Sequence, residues 1–89
     1  MEGRNLILAD GTEYSEGEAG YSDGHLWLYL PSGIDVRKAF LDFSDPVKTS
    51  RIVFDYTIQQ DEYAGFTDFR GLMLDSDGKI SVHLVRSEK

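Results

Sequence analysis

Five carboxylates and no base crowd the stretch "DGTEYSEGEAGYSDG", residues 10 to 24: Asp10, Glu13, Glu16, Glu18 and Asp23. Such a run suits recognition of a positively charged surface, or it serves solubility alone. A second acidic group follows at Asp61, Glu62 and Asp68. Each group encloses or adjoins an aromatic residue, Tyr21 in the first and Tyr63 in the second. A tyrosine among carboxylates fits an Arg- or Lys-rich partner, through ion pairs and cation–π contacts. The alternative role for these tyrosines is to cap the core with their hydroxyls in water. The candidate partner-binding residues are therefore Glu13, Glu16, Glu18, Tyr21, Asp23, Asp61, Glu62, Tyr63 and Asp68.

Other chemistries fit less well. "DSDGK" at 75 to 79 has acids suited to calcium, but its glycine follows Asp77 directly and the distal Glu falls beyond a strand; a hairpin turn explains it better. His25 and His83 could pair on a metal, yet two ligands on separate strands with no cysteine are read as half-exposed strand residues. There is no "GxSxG" elbow for a serine nucleophile, and "PSG" at 31 to 33 is a turn. The glycines of "GEAGYSDG" lack a following lysine, and their acidic neighbours repel phosphate. Nothing arranged for acid–base catalysis stands out, so the expectation is a non-enzymatic chain with no cofactor and no metal.

The chain has 89 residues, the length of one domain, spanning 1–89. Sixteen acids against nine bases give a net charge of −7, which argues against direct nucleic-acid binding and for a protein partner with a basic surface. Hydrophobic residues are 40% and aromatics 12%, enough for a folded core. The absence of cysteine leaves no disulfide framework. No apolar run reaches the ~18 residues a membrane span needs, and "MEGRNLILAD" lacks the pattern of a signal peptide, so the expected location is the cytoplasm, away from membranes.

The elements that must position these residues are short. "RNLILADGTEYSE" reads as a hairpin turning at Asp10–Gly11, and residues 17 to 24 as a loop. "HLWLYL" alternates, with Leu26, Leu28 and Leu30 on one face and His25, Trp27 and Tyr29 on the other; the second face is either covered or presented to a partner. "DVRKAFLDFSDP" is the one helix, capped by Asp35 and stopped at Pro46. Its Val36, Ala39, Phe40 and Phe43 make the apolar face, with Arg37, Lys38 and Asp42 off it. "RIVFDYTIQ" is a strand with Ile52, Phe54, Tyr56 and Ile58 facing one way, "DEYAGF" an acidic connection, and "DFRGLMLDSDGKISVHLVR" a closing hairpin. The order β-β-β-α-β-β-β predicts an α+β domain with about six short, mostly antiparallel strands and one helix packed on them. Strand pattern leaves open one curled sheet or a small open barrel with the helix plugging one side. The Phe40 and Phe43 face is expected to meet Ile52, Phe54, Ile58 and Leu28.

"LILADGTEY" and "AFLDFSDPVKTSRIVFDYT" resemble short proteins encoded in prophages of gram-positive bacteria, over much of the chain. That resemblance implies a phage setting and two roles common among small phage proteins. One is an inhibitor of host defence, of the anti-CRISPR type, that occupies a basic nucleic-acid-binding groove. The other is a structural or assembly component of the phage particle, in which the first and last strands would be edges able to pair with a neighbouring subunit as a homo-oligomer.

Overall fold

A computed structural model describes residues 5–55 and 60–87, and among these it has eight strands and two short helices. They run β1 (Asn5–Ile7), β2 (Glu13–Ser15), β3 (Glu18–Ser22), β4 (His25–Leu30), α1 (Val36–Phe43), α2 (Pro46–Thr49), β5 (Arg51–Asp55), β6 (Gln60–Ala64), β7 (Asp68–Leu74) and β8 (Ile80–Val85). Every pairing is antiparallel, in two sheets of order β2-β1-β5-β6 and β3-β4-β8-β7. The domain is thus α+β and mostly sheet.

Both edge strands of the first sheet continue into the edge strands of the second. Strand β2 bends into β3 across Glu16 and Gly17, and β6 bends into β7 across residues 65–67. Neighbours therefore form a closed circuit: β1, the bent β2–β3, β4, β8, the bent β7–β6, β5, and back to β1. The six strands anticipated from the sequence correspond to these six staves, two of which are broken at corners. The first corner places Glu16 at φ 61° and presses Gly17 into the interior, where a Cβ would lie 3.3 Å from Leu6 Cβ. A larger residue there would press on Leu6, with the Phe54 ring in ordinary contact.

The core is set by alternation. Leu26, Leu28 and Leu30 of β4 lie opposite Leu84, Val82 and Ile80 of β8, and all six are buried. Leu6, Ile52 and Phe54 supply the first sheet's inner face, and Ala39 and Phe43 of α1 complete the cluster. Burying each large aliphatic side chain contributes about 1.5–3 kcal/mol.

Several expectations are corrected. Residues 17 to 24 are not a loop but β3 plus a two-residue turn, in which Asp23 at φ 54° and Gly24 at φ 82° join the paired Ser22 and His25. Both positive φ values match the type I′ hairpin that Asp-Gly favours. The turn expected at Asp10–Gly11 is wider, spanning residues 8–12, with Leu8 N–H donating to the Thr12 carbonyl and Thr12 N–H to Asp10 Oδ1. "DEYAGF" contributes β6 rather than a mere connection. Pro46 does stop α1, and it also opens α2 at a first-turn position where its missing N–H costs nothing. Strand β5 ends at Asp55, and the expectations for Tyr56 and Ile58 lie outside the described residues. Phe43 is fully buried, but Phe40 is 49% exposed and meets Phe69 edge-on. Strands β1 and β8, expected as edges, are both interior, because each is flanked on two sides.

Candidate functional site

The candidate residues fall into separate groups. Glu13 on β2 and Glu16 at the first corner line an open groove of about 580 Å3 together with Pro31, Ile34, Asp35 and Lys38. Glu18 starts β3 close by, opposite Tyr29. Tyr21 and Asp23 lie toward the other end of β3, about 10–17 Å along the strand from Glu18. Glu62 is held by Arg51 at 2.5 Å, and Asp68 accepts from Arg70 Nη2 at 2.8 Å. Asp61 is half-buried opposite Phe54. The acids are thus spread over both sheets, with Glu13, Asp61 and Glu62 on the first and Glu18 and Asp68 on the second, and two of them already have an arginine.

Tyr21 and Tyr63 are brought together. Their ring centroids are 6.2 Å apart, and Phe66 stands edge-on to Tyr21 at 5.8 Å and against Tyr63 at 6.1 Å. The cation over this cluster comes from the chain itself. The Arg86 guanidinium sits 5.8 Å from the Tyr21 ring and 5.1 Å from that of Phe66. Its backbone N–H donates to the Gly24 carbonyl and that of Ser87 to Gly65, which pin the end of β8 to both neighbouring turns.

A buried ionic network, unforeseen in the sequence, joins β2 to the helices. Asp42 is only 5% exposed, although helical periodicity places it off the apolar face. Its Oδ2 accepts from the Tyr14 hydroxyl and from Lys38 Nζ at 2.8 Å, and its Oδ1 accepts from Lys48 Nζ at 2.8 Å. Burial disfavours the carboxylate, but the hydrogen bonds from Lys38, Lys48 and Tyr14 outweigh it and hold its pKa down to about 2. Burial, reinforced by Asp42, pushes the Tyr14 phenol up to about 12. Lys38 is raised chiefly by its bond to Asp42. A carboxylate saturated in this way acts as a tie between elements, not as a proton shuttle at neutral pH.

The outer face of the second sheet carries a ring platform. Trp27 on β4 lies opposite His83 on β8, with centroids 5.0 Å apart and an interplanar angle of 6°. His25 stacks on both, and its Nδ1 is 2.9 Å from His83 Nε2. Gly20 pairs with Trp27 and Gly71 with His83, so the row is bounded on each side by a residue without a side chain. Beside it lies an open pocket of about 450 Å3 lined by Trp27, Tyr29, Arg70, Met73, Ser81 and His83. Burial lowers the His83 pKa, with His25 and Arg70 adding to the effect. The alternation of "HLWLYL" and "SVHLV" puts these rings on the non-leucine faces, but the adjacency of β4 and β8 that unites them is a matter of strand order.

Among the described residues no group of three or more His, Cys, Asp or Glu could hold a metal ion, and no helix is long and apolar enough to cross a membrane. Comparison of the chain with protein-family models, with curated proteins and with solved structures gives no match.

Proposed function

We propose that this protein is a non-enzymatic protein-binding module, phage-encoded and acting in the host cytoplasm as an acidic inhibitor of a basic, nucleic-acid-binding host protein. The observation that carries this reading is the groove at the β2–β3 corner. Glu13, Glu16 and Asp35 line it, and Lys38, the one cation among the described residues that line it, is drawn to Asp42 at 2.8 Å. The groove is therefore rich in carboxylates that an arginine or lysine of a partner would complement, while Pro31 and Ile34 offer apolar contact to the stem of such a side chain. Net charge of −7 would speed the encounter with a basic surface.

The test is capture of host nucleic-acid-binding proteins on the immobilised chain at low and high salt, with a Glu13→Gln, Glu16→Gln double variant alongside. Capture that falls steeply with salt and with the double variant supports the reading. Capture unaffected by either defeats it.

A second reading, a component of the phage particle, is favoured by the ring platform. Trp27, Tyr29 and Met73 make an apolar patch beside Arg70 and His83 on a chain that is 28% charged, and Met73 is 70% exposed. Light scattering separates the two: a ring or discrete oligomer favours the particle component, and a strict monomer favours the inhibitor.

A further inference from the structure

We infer that His25 and His83 form a proton-operated latch between β4 and β8, joined while the pair holds at most one extra proton and parted by a second, which uncovers Trp27. His25 Nδ1 and His83 Nε2 are 2.9 Å apart, while the ring centroids are 5.2 Å apart and the ring planes within 21° of parallel. The nitrogens are much closer than the ring centres, so the rings meet nitrogen to nitrogen in a hydrogen bond.

The proton count follows from imidazole chemistry. In the neutral pair one ring donates its N–H and the other accepts with a lone pair. A first added proton goes to the far nitrogen of the donating ring, which is His25 Nε2 or His83 Nδ1. The bond survives and becomes charge-assisted. A second proton has one place left, the accepting nitrogen inside the gap. Two N–H groups and two like charges then face each other, and attraction gives way to repulsion.

The fold holds the pair in register. His25 pairs with Val85 and Trp27 with His83, so the histidines are diagonal neighbours on adjacent antiparallel strands, within reach of ring side chains. Trp27 stacks on both, its centroid 5.6 Å from that of His25 and 5.0 Å from that of His83. The indole therefore loses cover when the two rings part. All three rings are half-buried, so water and protons reach them.

The charges around the pair act in the same direction. On β7, Arg70 lines a pocket with His83 and donates to Asp68 Oδ2 at 2.8 Å. At the β3–β4 turn, Asp23 lines a shallow pocket with His25, and Arg86 beyond β8 lines it too. Gly20 and Ser22 of β3, opposite Trp27 and His25, carry no charge, and Glu18 lies farther along, opposite Tyr29. Gly71 of β7, opposite His83, is also uncharged. A charged His83 is thus repelled by Arg70, and a charged His25 can turn toward Asp23. Burial disfavours charge on His83, with His25 and Arg70 adding to it, which makes His83 the ring that takes the second proton. A His83 held below its ordinary value of 6.5 supports the fold above that pH and loses this contribution as pH falls below it.

The chain holds one tryptophan and two histidines, so each group is read separately. The intact protein is titrated from about pH 8 to about pH 4, a span that brackets imidazole. NMR follows both imidazoles, acrylamide quenching follows the exposure of Trp27, and circular dichroism follows the fold. Proton uptake is expected in two steps at least about one pH unit apart, with both rings sensing each step. Quenching should stay level across the first step and rise across the second, with circular dichroism unchanged. His25→Phe and His83→Phe, made singly, keep a ring beside Trp27 but remove the bond. The remaining histidine should then titrate in one step, and the rise in quenching should be lost. Independent one-step titration of both histidines in the wild type, quenching that stays level across the second step, or a rise that persists in either variant would overturn the assignment. Loss of circular dichroism together with the second step would also overturn it, because a latch opens within a folded chain.

Discussion

Tyr14 and Asp42, 28 residues apart in the chain, are joined by a hydrogen bond from the phenol to a carboxylate buried beneath α1. With Lys38 and Lys48 it fastens one stave of the barrel to both helices. The Lys38 ammonium also lies 4.5 Å from the centre of the Tyr14 ring, so one cation serves the carboxylate and the ring together. Helix α1 has eight residues, too few to persist alone, and this tie supplements the burial of Ala39 and Phe43 in holding it.

Replacing Asp42 by Asn keeps the shape but removes the charge and turns an NH2 group toward a lysine or the tyrosine hydroxyl. Charge-assisted hydrogen bonds contribute about 1.5–3 kcal/mol, so Asp42→Asn is expected to cost about 2–3 kcal/mol. Urea unfolding followed by circular dichroism measures it. Lys38→Met should cost less, about 1 kcal/mol, because the Lys38 side chain is 53% exposed and screened by water, and Lys48 and Tyr14 still bond the carboxylate. Equal losses in the two variants would mean that the network is not centred on Asp42.

The same network fixes the pH dependence. The Asp42 pKa is depressed to about 2, so its contribution to stability is present above the ordinary carboxylate value of 3.8 and is lost as pH falls from there toward 2. Tyr14 is raised from 10 to about 12, so its neutral phenol stabilises the fold below pH 10, and that contribution is lost as pH rises toward 12. Urea midpoints measured across both ranges should decline at each end, and Asp42→Asn should flatten the acid limb.

Local pattern carried much of the fold into view. The alternation of Leu26, Leu28 and Leu30, and of Ile80, Val82 and Leu84, located both interior strands of the second sheet and their buried faces. Turn chemistry was only half legible, since Asp10–Gly11 and Asp23–Gly24 are the same dipeptide, and what separates them is the strand pairing that follows each. The burial of Asp42 was hidden because its partners Tyr14 and Lys48 come from a strand and a second helix. Equally, the candidate Tyr21–Tyr63 pair could be named but not its cation, since Arg86 reaches it only through the closure of the barrel. The spread of the acids over two sheets is likewise invisible in the sequence, because it follows from the corners at Gly17 and Gly65.

Arg86 gives a test of that closure. Its guanidinium covers the Tyr21 and Phe66 rings at the surface, a contact worth about 0.5–1 kcal/mol. Arg86→Ala should lower stability by that amount and leave the Tyr21 ring open to added guanidinium or arginine-rich peptide. Tyrosine-to-tryptophan fluorescence ratios in the variant should then change on adding such a peptide, while wild type stays unchanged. Unaltered stability in Arg86→Ala would show that the stacking carries no net energy.

Two glycines distinguish space from conformation as the constraint on the barrel. At Gly17 a Cβ would lie 3.3 Å from Leu6 Cβ and 3.7 Å from a Phe54 ring carbon, so with alanine Leu6 or the corner must give slightly. Overpacking of this kind costs about 1–3 kcal/mol. At Gly24 nothing lies within 4 Å, but φ is +82°, a conformation that costs an L residue about 1–2 kcal/mol. Gly24→Ala and Gly17→Ala should therefore both destabilise, yet respond differently to a second change. Trimming Phe54 to Leu in the Gly17→Ala background, which withdraws the ring carbon 3.7 Å away, should recover part of the loss, through double-mutant coupling between neighbours in contact. No core substitution should rescue Gly24→Ala, whereas Gly24→Asn, which tolerates positive φ better, should lose less than alanine does. Additive losses for Gly17→Ala with Phe54→Leu would show that the corner does not press on the Phe54 ring.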